Sequence, residues 1–425
     1  MKFPKMYQIY NHDYSRENIS NIETEFDREY EKAALDLGRI KGKKIGIAVG
    51  SRGIDKICSI VSLTVEKIKE AGGRPYVFGA MGSHGNGTAE GQREVLASLG
   101  ITEENIGAPI LCSGDTEEWG STKEHGFPVY GNVLCREFDA VVLINRVKMH
   151  TDFEDVTESG VLKMMAIGIG NPRGCQNVHS LALKYGYGTV IRETAEFMSA
   201  RLNVLFGVMI TENAVHELSG IYLRKPEDFV ETEKQLLAKA KKERMKLPAE
   251  KIDVLIVDEM GKNISGSGMD TKVIGRVFVT GQSEPKVPRV TRIVVLHLTE
   301  ESHGNAIGIG LADFSTKEVL DQIDFAATAK NAVASMAPAQ GKIPCIEAND
   351  REAIEAALAT AALDEPGKAR VIRIKNTNNI EKLWVSEALY EELKDNPDIE
   401  LIQEGQELQF DENGHLEDSA KLLKD

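Results

Sequence analysis

Apolar runs of strand length alternate with amphipathic stretches along nearly the whole chain, and no other feature of the sequence restricts the fold as strongly. Residues 43–50 (KKIGIAVG) read as a buried strand, and residues 55–73 (DKICSIVSLTVEKIKEAGG) read as the helix after it, ending at glycine. RPYVFGAM is the next strand and TAEGQREVLASLG the next helix, with Thr88 as its N-cap. Further strands fall at 138–145 (FDAVVLIN) and 202–210 (LNVLFGVMI), with helical patterns around 158–168 and 186–200 between them. Strands that are apolar throughout must be covered on both faces, and alternating helices supply the cover. The expected fold is therefore α/β, a parallel sheet with helices on both sides.

The pattern restarts after a charged amphipathic helix at 226–246. A strand opens at Asp253, and another is expected at 292–299. Helices are expected near 316–333 and 350–362, then a strand at 369–376 and a helix at 386–396. A chain of 425 residues exceeds one ordinary core. We expect an N-terminal catalytic domain over 1–250 and a C-terminal α/β domain over 251–425 that closes the active-site cleft. The tail after 405 reads as a polar, acidic surface element.

Composition removes several function classes. Aromatic residues make up 6% and the net charge is −15, so neither a stacking platform nor a basic stripe for phosphates is present, and no nucleic-acid partner is expected. No uncharged apolar stretch is long enough to span a bilayer, and the opening MKFPKMYQIYNHDYS lacks a signal core. The five cysteines (Cys58, Cys112, Cys135, Cys175 and Cys345) are odd in number and form no CxxC pair, which argues against disulfides and zinc knuckles. The expected location is the cytoplasm.

Ligands of open α/β sheets bind beyond the carboxyl ends of the strands. Three glycine-containing or polar loops stand there: GSRGID (50–55), GAMGSHGNGT (79–88) and NRVKMHTDFED (145–155). They carry Arg52, His84, Arg146, Lys148 and His150. None matches a dinucleotide fingerprint or a P-loop. A glycine after a strand is commonly only a turn; three such loops on one edge, two with histidine, point to an active site. Downstream, ESGVLKMMAIGIGNPRGCQNVHS (158–180) sets Lys163 in an apolar helical stretch. Burial there would make its amine nucleophilic, whereas a lysine at a helix edge would simply reach for solvent. The glycines Gly168 and Gly170, with Arg173, could receive a phosphate or merely end a helix. His179 follows. Glu300, Glu301, His303 and Asp313 in TEESHGNAIGIGLADF could hold a divalent cation or fix a glycine-rich turn, and Trp384 could cover a site or fill a core.

The order Arg52, His84, His150, Lys163, His179 resembles the lactate racemase family, whose enzymes use a nickel-pincer nucleotide. The resemblance spans most of residues 40–330 and is strongest over 76–180. It implies a racemase or epimerase acting on a small 2-hydroxy acid. It implies His84 and His150 as paired acid–bases, Lys163 as the covalent anchor of the cofactor, and His179 as the nickel ligand. Gly168, Gly170 and Arg173 would lie against the nucleotide, and Arg52 would hold the substrate carboxylate. The cofactor would be a nickel pyridinium-3-thioamide-5-thiocarboxylic acid mononucleotide, so the enzymes that make it would be partners. The sequence departs from the family where substrate is bound. Val49-Gly50-Ser51 precede Arg52 where the family often has an aspartate, and Gly85 follows His84 where arginine is common. The His150–Lys163 interval is slightly long, and the family's C-terminal lysine has only Lys262 or Arg276 as stand-ins. A different 2-hydroxy acid, such as a dicarboxylate or sugar acid, follows from that pattern. Two other readings stay open from the residues: a metal-dependent hydrolase or lyase built on the histidines and the 300–313 carboxylates, and a hydroxy-acid sensor without catalysis.

Overall fold

A computed structural model describes residues 3–151 and 153–417, so Asp152 of the third loop and residues 418–425 of the tail lie outside the described residues. The chain divides into two compact units. One comprises Ser15–His150 and Glu154–Arg244; the other comprises Met1–Tyr14, Thr151–Phe153 and Met245–Asp425. The change of unit falls at 244–245. The first fourteen residues depart from the expectation, because they belong with the C-terminal half.

The first unit is built on six strands in the order Ile110–Leu111, Arg74–Gly79, Lys44–Val49, Ala140–Arg146, Val204–Glu212 and Leu218–Arg224. All neighbours are parallel except the last pair, which is antiparallel. The central strands are buried almost throughout, as apolar runs covered on both faces must be. The helix Ile57–Glu70 covers one face with Ile57, Ile60, Val61, Val65 and Ile68, a spacing that keeps them on one stripe. Thr88 caps the helix Ala89–Ser98 by accepting from the Gly91 amide, as expected. Chain order runs outward from Lys44–Val49 to one side and from Ala140–Arg146 to the other. The sheet therefore has a switch point between these two strands, where loops diverge and leave a crevice.

The second unit has eight strands: Cys345–Glu347, Phe314–Thr316, Arg289–Leu298, Lys251–Met260, Val371–Ile374, Lys382–Ser386, Met6–Asn11 and Ile399–Gln406. The first five are parallel and the rest antiparallel. Met6–Asn11 is an interior strand of this sheet. The expected helix near 316–333 is two helices, Lys317–Gln322 and Phe325–Ala334, because the side chain of Asp324 caps the second by accepting from the Ala327 amide. Among the described residues no helix is long and apolar enough to cross a membrane. None of the five cysteines is in a disulfide.

Candidate active site

The three loops singled out above follow three adjacent strands. His84 follows Arg74–Gly79, Arg52 follows Lys44–Val49, and His150 follows Ala140–Arg146. They flank the switch point, so one sheet edge gathers them without any long-range coincidence. His84 is fixed by a hydrogen bond between its Nδ1 and the Ser51 hydroxyl at 2.6 Å, which joins the first two loops. The backbone at Gly85 and Asn86 takes positive φ, 61° and 54°. A Cβ on Gly87 would lie 2.3 Å from Pro172 Cγ, so glycine is what lets this loop seat against the helix Asn171–Tyr185.

His150 is held through its backbone, whose amide donates to Glu158 Oε2 at 2.6 Å. Glu158 is buried and pairs with Lys241 at 2.5 Å. A backbone exchange between Lys148 and Ser159 closes the same loop. Arg146, a further cation of this loop, is committed to an ion pair with the buried Glu212. Burial, with the nearby Arg52 charge, lowers its guanidinium to about 10. Arg52 is exposed at the residue level, yet its own guanidinium is partly desolvated and lowered for that reason.

The stretch around Lys163 differs from the continuous helix expected at 158–168. A single helical turn, Val161–Lys163, runs into a π-helical turn, Met164–Gly168, before the helix Asn171–Tyr185 begins. Wide turns of this kind are rare and concentrate at functional sites. Gly168 enables the packing: its carbonyl accepts from the Gly82 amide at 3.0 Å, and a Cβ on it would stand 2.5 Å from the Ala80 carbonyl. Thus the Lys163 segment lies directly on the loop that bears His84. Gly170 is equally confined, with a Cβ meeting the Gly174 Cα at 2.9 Å. Arg173 sits in the first turn of the Asn171–Tyr185 helix, exposed, with its guanidinium 4.3 Å from the centre of the Tyr130 ring.

Lys163 and His179 are brought within electrostatic reach of each other. Burial first, and the Lys163 charge second, lower the His179 imidazole to about 4, so it is neutral at ordinary pH. Its Nδ1 is hydrogen-bonded to the Tyr187 hydroxyl at 2.8 Å. Tyr187 is 4% exposed, and its ring also stacks near His150 with centroids 6.4 Å apart. On the other side, Cys175 is hydrogen-bonded to Ser83 and feels the Lys163 charge; burial nonetheless raises its thiol. Hydrogen bonds, ring proximity and the Lys163 charge thereby relate Ser83, Cys175, Lys163, His179, Tyr187 and His150 to one another.

Sequence reasoning missed Tyr187, Ser51 and Cys175. Tyr187 opens a new helix after Gly186, so no periodicity links it to His179. In the second unit, Lys262 Nζ donates to the Gly266 carbonyl at 2.5 Å. Arg276 is bound to Asp313 at 2.7 Å and to the carbonyls of Val290, Thr291 and Leu311. The 299–314 motif is a glycine-rich turn: His303 and Gly304 take positive φ, and a Cβ on Gly308 would collide with the Ser267 carbonyl at 1.7 Å. Trp384 is a core residue of this unit, packed with Val254, Ile256 and Leu296.

Among the described residues, one trio of possible metal ligands comes within 4.8 Å, and it is Glu124, His125 and Glu193. Among the described residues, neither the three candidate histidines nor the 300–313 carboxylates form such a group. His125 and Glu193 already satisfy each other at 2.5 Å, with Thr122 on the second oxygen.

The order of strands and helices in the chain is that of the lactate racemase fold. Two solved structures carry that statement. One is the lactate racemase apoprotein from Thermoanaerobacterium thermosaccharolyticum, with TM-score 0.52 and 12% identity over 88% of this chain and 99% of that one. The other is a structural-genomics protein from Thermotoga maritima, with TM-score 0.55 and 13% identity over 86% of this chain and 99% of that one. No protein-family model and no curated protein matches the sequence.

Proposed function

We infer that this protein is a racemase or epimerase that inverts C2 of a 2-hydroxy acid with a nickel-pincer nucleotide bound at Lys163 and His179. The observation that carries the reading is the His179–Tyr187 pair. A metal-binding imidazole ordinarily gives its other ring nitrogen to a hydrogen-bond partner. With Nδ1 turned to Tyr187, Nε2 is the donor edge, and the depressed basicity of His179 keeps a proton from competing for it. Imidazole is a good donor for nickel, so His179 would hold the metal. Lys163 would hold the nucleotide covalently, and the bare backbone at Gly168 and Gly170, with Arg173, would receive its phosphate. The residues present fit the group.

The bound cofactor would supply reversible acceptance of a hydride from C2. The chain supplies the rest. Arg52 pairs with the substrate carboxylate through two parallel donors. His84 takes the hydroxyl proton of one enantiomer through Nε2, since Ser51 fixes the ring from the opposite edge. His150 serves the other enantiomer, its position set by Glu158. Histidine suits both roles because its ordinary pKa lies near working pH, so each ring can take and return the proton. Arg146 is committed to Glu212, so Arg52 is the cation of this edge assigned to the substrate carboxylate.

Co-production with the cofactor-making enzymes tests the assignment. Intact mass and peptide mapping should find the adduct on Lys163, and nickel should co-purify. Protein made in this way that carries neither adduct nor nickel would refute the reading.

A further inference from the structure

The turn that bears Lys163 is held from below by a carboxyl group that takes no part in the chemistry above. Glu233 lies on the helix Phe229–Glu243, on the same buried face as Phe229, Leu236 and Leu237. It is 1% exposed. Its Oε1 accepts from the Leu162 amide at 3.0 Å, and its carboxyl also accepts from the Val161 amide. These are the first residues of the Val161–Lys163 turn, whose N-cap, Gly160, has no side chain to satisfy them. The absence of that side chain matters, because a Cβ on Gly160 would stand 2.2 Å from Glu233 Oε1. Asn145 Nδ2 donates to the Gly160 carbonyl at 2.7 Å and ties the same junction to the end of the strand Ala140–Arg146.

A carboxyl on an otherwise apolar face costs free energy, and a leucine would fill the position without that cost. Burial indeed pushes the Glu233 carboxyl up to about 7, against the two amides that favour its charged form. Something other than core packing therefore accounts for a glutamate here. The amides it caps begin the turn that sends Lys163 toward Cys175 and His179.

We propose that Glu233 is a positioning residue for Lys163, replacing the missing cap of the Val161–Lys163 turn so that the lysine leaves the backbone at a fixed place and angle. Its purpose rests on the reading of Lys163 as the cofactor anchor; the hold itself does not.

Three variants separate the hold from mere bulk. Glu233→Gln keeps shape and an acceptor oxygen. Glu233→Leu keeps volume and removes the acceptor. Gly160→Ala drives the carboxyl off the turn. Each is read by hydrogen exchange of peptides covering 158–168 and by acylation of Lys163 with an amine-selective reagent, with the exposed Lys184 as internal standard. Loss of one such hydrogen bond corresponds to about tenfold in an opening equilibrium. Glu233→Leu and Gly160→Ala should thus exchange the Val161 and Leu162 amides about tenfold faster and shift Lys163 acylation relative to Lys184. At pH 5, where the Glu233 carboxyl is protonated and as neutral as the amide, Glu233→Gln should match the wild type. Wild-type behaviour of the leucine variant, or leucine-like behaviour of the glutamine variant, overturns the proposal. Should the leucine variant unfold, Gly160→Ala decides in the same way. An unmodified Lys163 after co-production would defeat the functional reading while leaving these exchange results intact.

Discussion

At the residue scale, single side chains of the candidate site are held by specific partners. Tyr187 fixes the ring of His179, so Tyr187→Phe should lower nickel affinity about 10- to 100-fold while the Lys163 adduct persists. Metal analysis of protein co-produced with the cofactor enzymes reads this directly, and unchanged nickel content would remove Tyr187 from the site. Glu233 makes a pH prediction. Its carboxyl is raised from 4.5 to about 7 in the folded chain. Between those values the folded state keeps a proton that the unfolded state has released. Its contribution is thus present below about 4.5 and lost as pH rises to about 7. Glu233→Gln, always neutral, should flatten the fall in stability across that window, by on the order of 1–3 kcal/mol in urea unfolding at pH 5 and pH 8. A slope identical to wild type would contradict the assignment. His84 and His150 stand out in the sequence as candidates because they sit in loops that follow apolar strands, whereas Lys163 and His179 lie on helical turns and stand out only through the resemblance. Tyr187 does not stand out, since its partner lies on a different helix. Glu233 left a trace: a glutamate on the stripe of Phe229, Leu236 and Leu237, which charge composition alone made look like an ordinary solvated helix.

At the element scale, parallel strands and their helices were readable because burial on both faces leaves continuous apolar runs. What escaped was the break of the helix expected at 158–168. Apolar residues fill that stretch, and periodicity does not distinguish α from π winding; the packing of Gly168 on Ala80 does. Gly168→Ala should therefore force the two segments apart and cost about 1–3 kcal/mol, measured by chemical denaturation. A variant as stable as wild type would show that the contact is slack. The short strand pair Thr116–Ser121 and Pro128–Asn132 was also invisible in advance, being half-exposed and poor in β-branched residues.

At the scale of the whole molecule, the alternation of apolar runs and amphipathic stretches makes the α/β fold class legible. The placement of the first residues could not be read, because a single short strand gives no indication of its partner. Met6–Asn11 lies between Lys382–Ser386 and Ile399–Gln406, so a chain beginning at Ser15 should expose both flanking strands. Limited proteolysis should then cut within 380–406 before any site in the first unit. Equal protection with and without residues 1–14 would show that the strand is dispensable. On the proposed reading the departures around Arg52 and His84 would concern substrate rather than cofactor, so the substrate is best found by trial. The most direct measurement incubates cofactor-loaded protein with single enantiomers of a panel of 2-hydroxy acids, dicarboxylates and sugar acids included, and follows configuration at C2. The account predicts inversion of at least one member, lost in His84→Ala and His150→Ala. Loaded protein that binds a member of the panel yet leaves C2 unchanged across it would contradict the account.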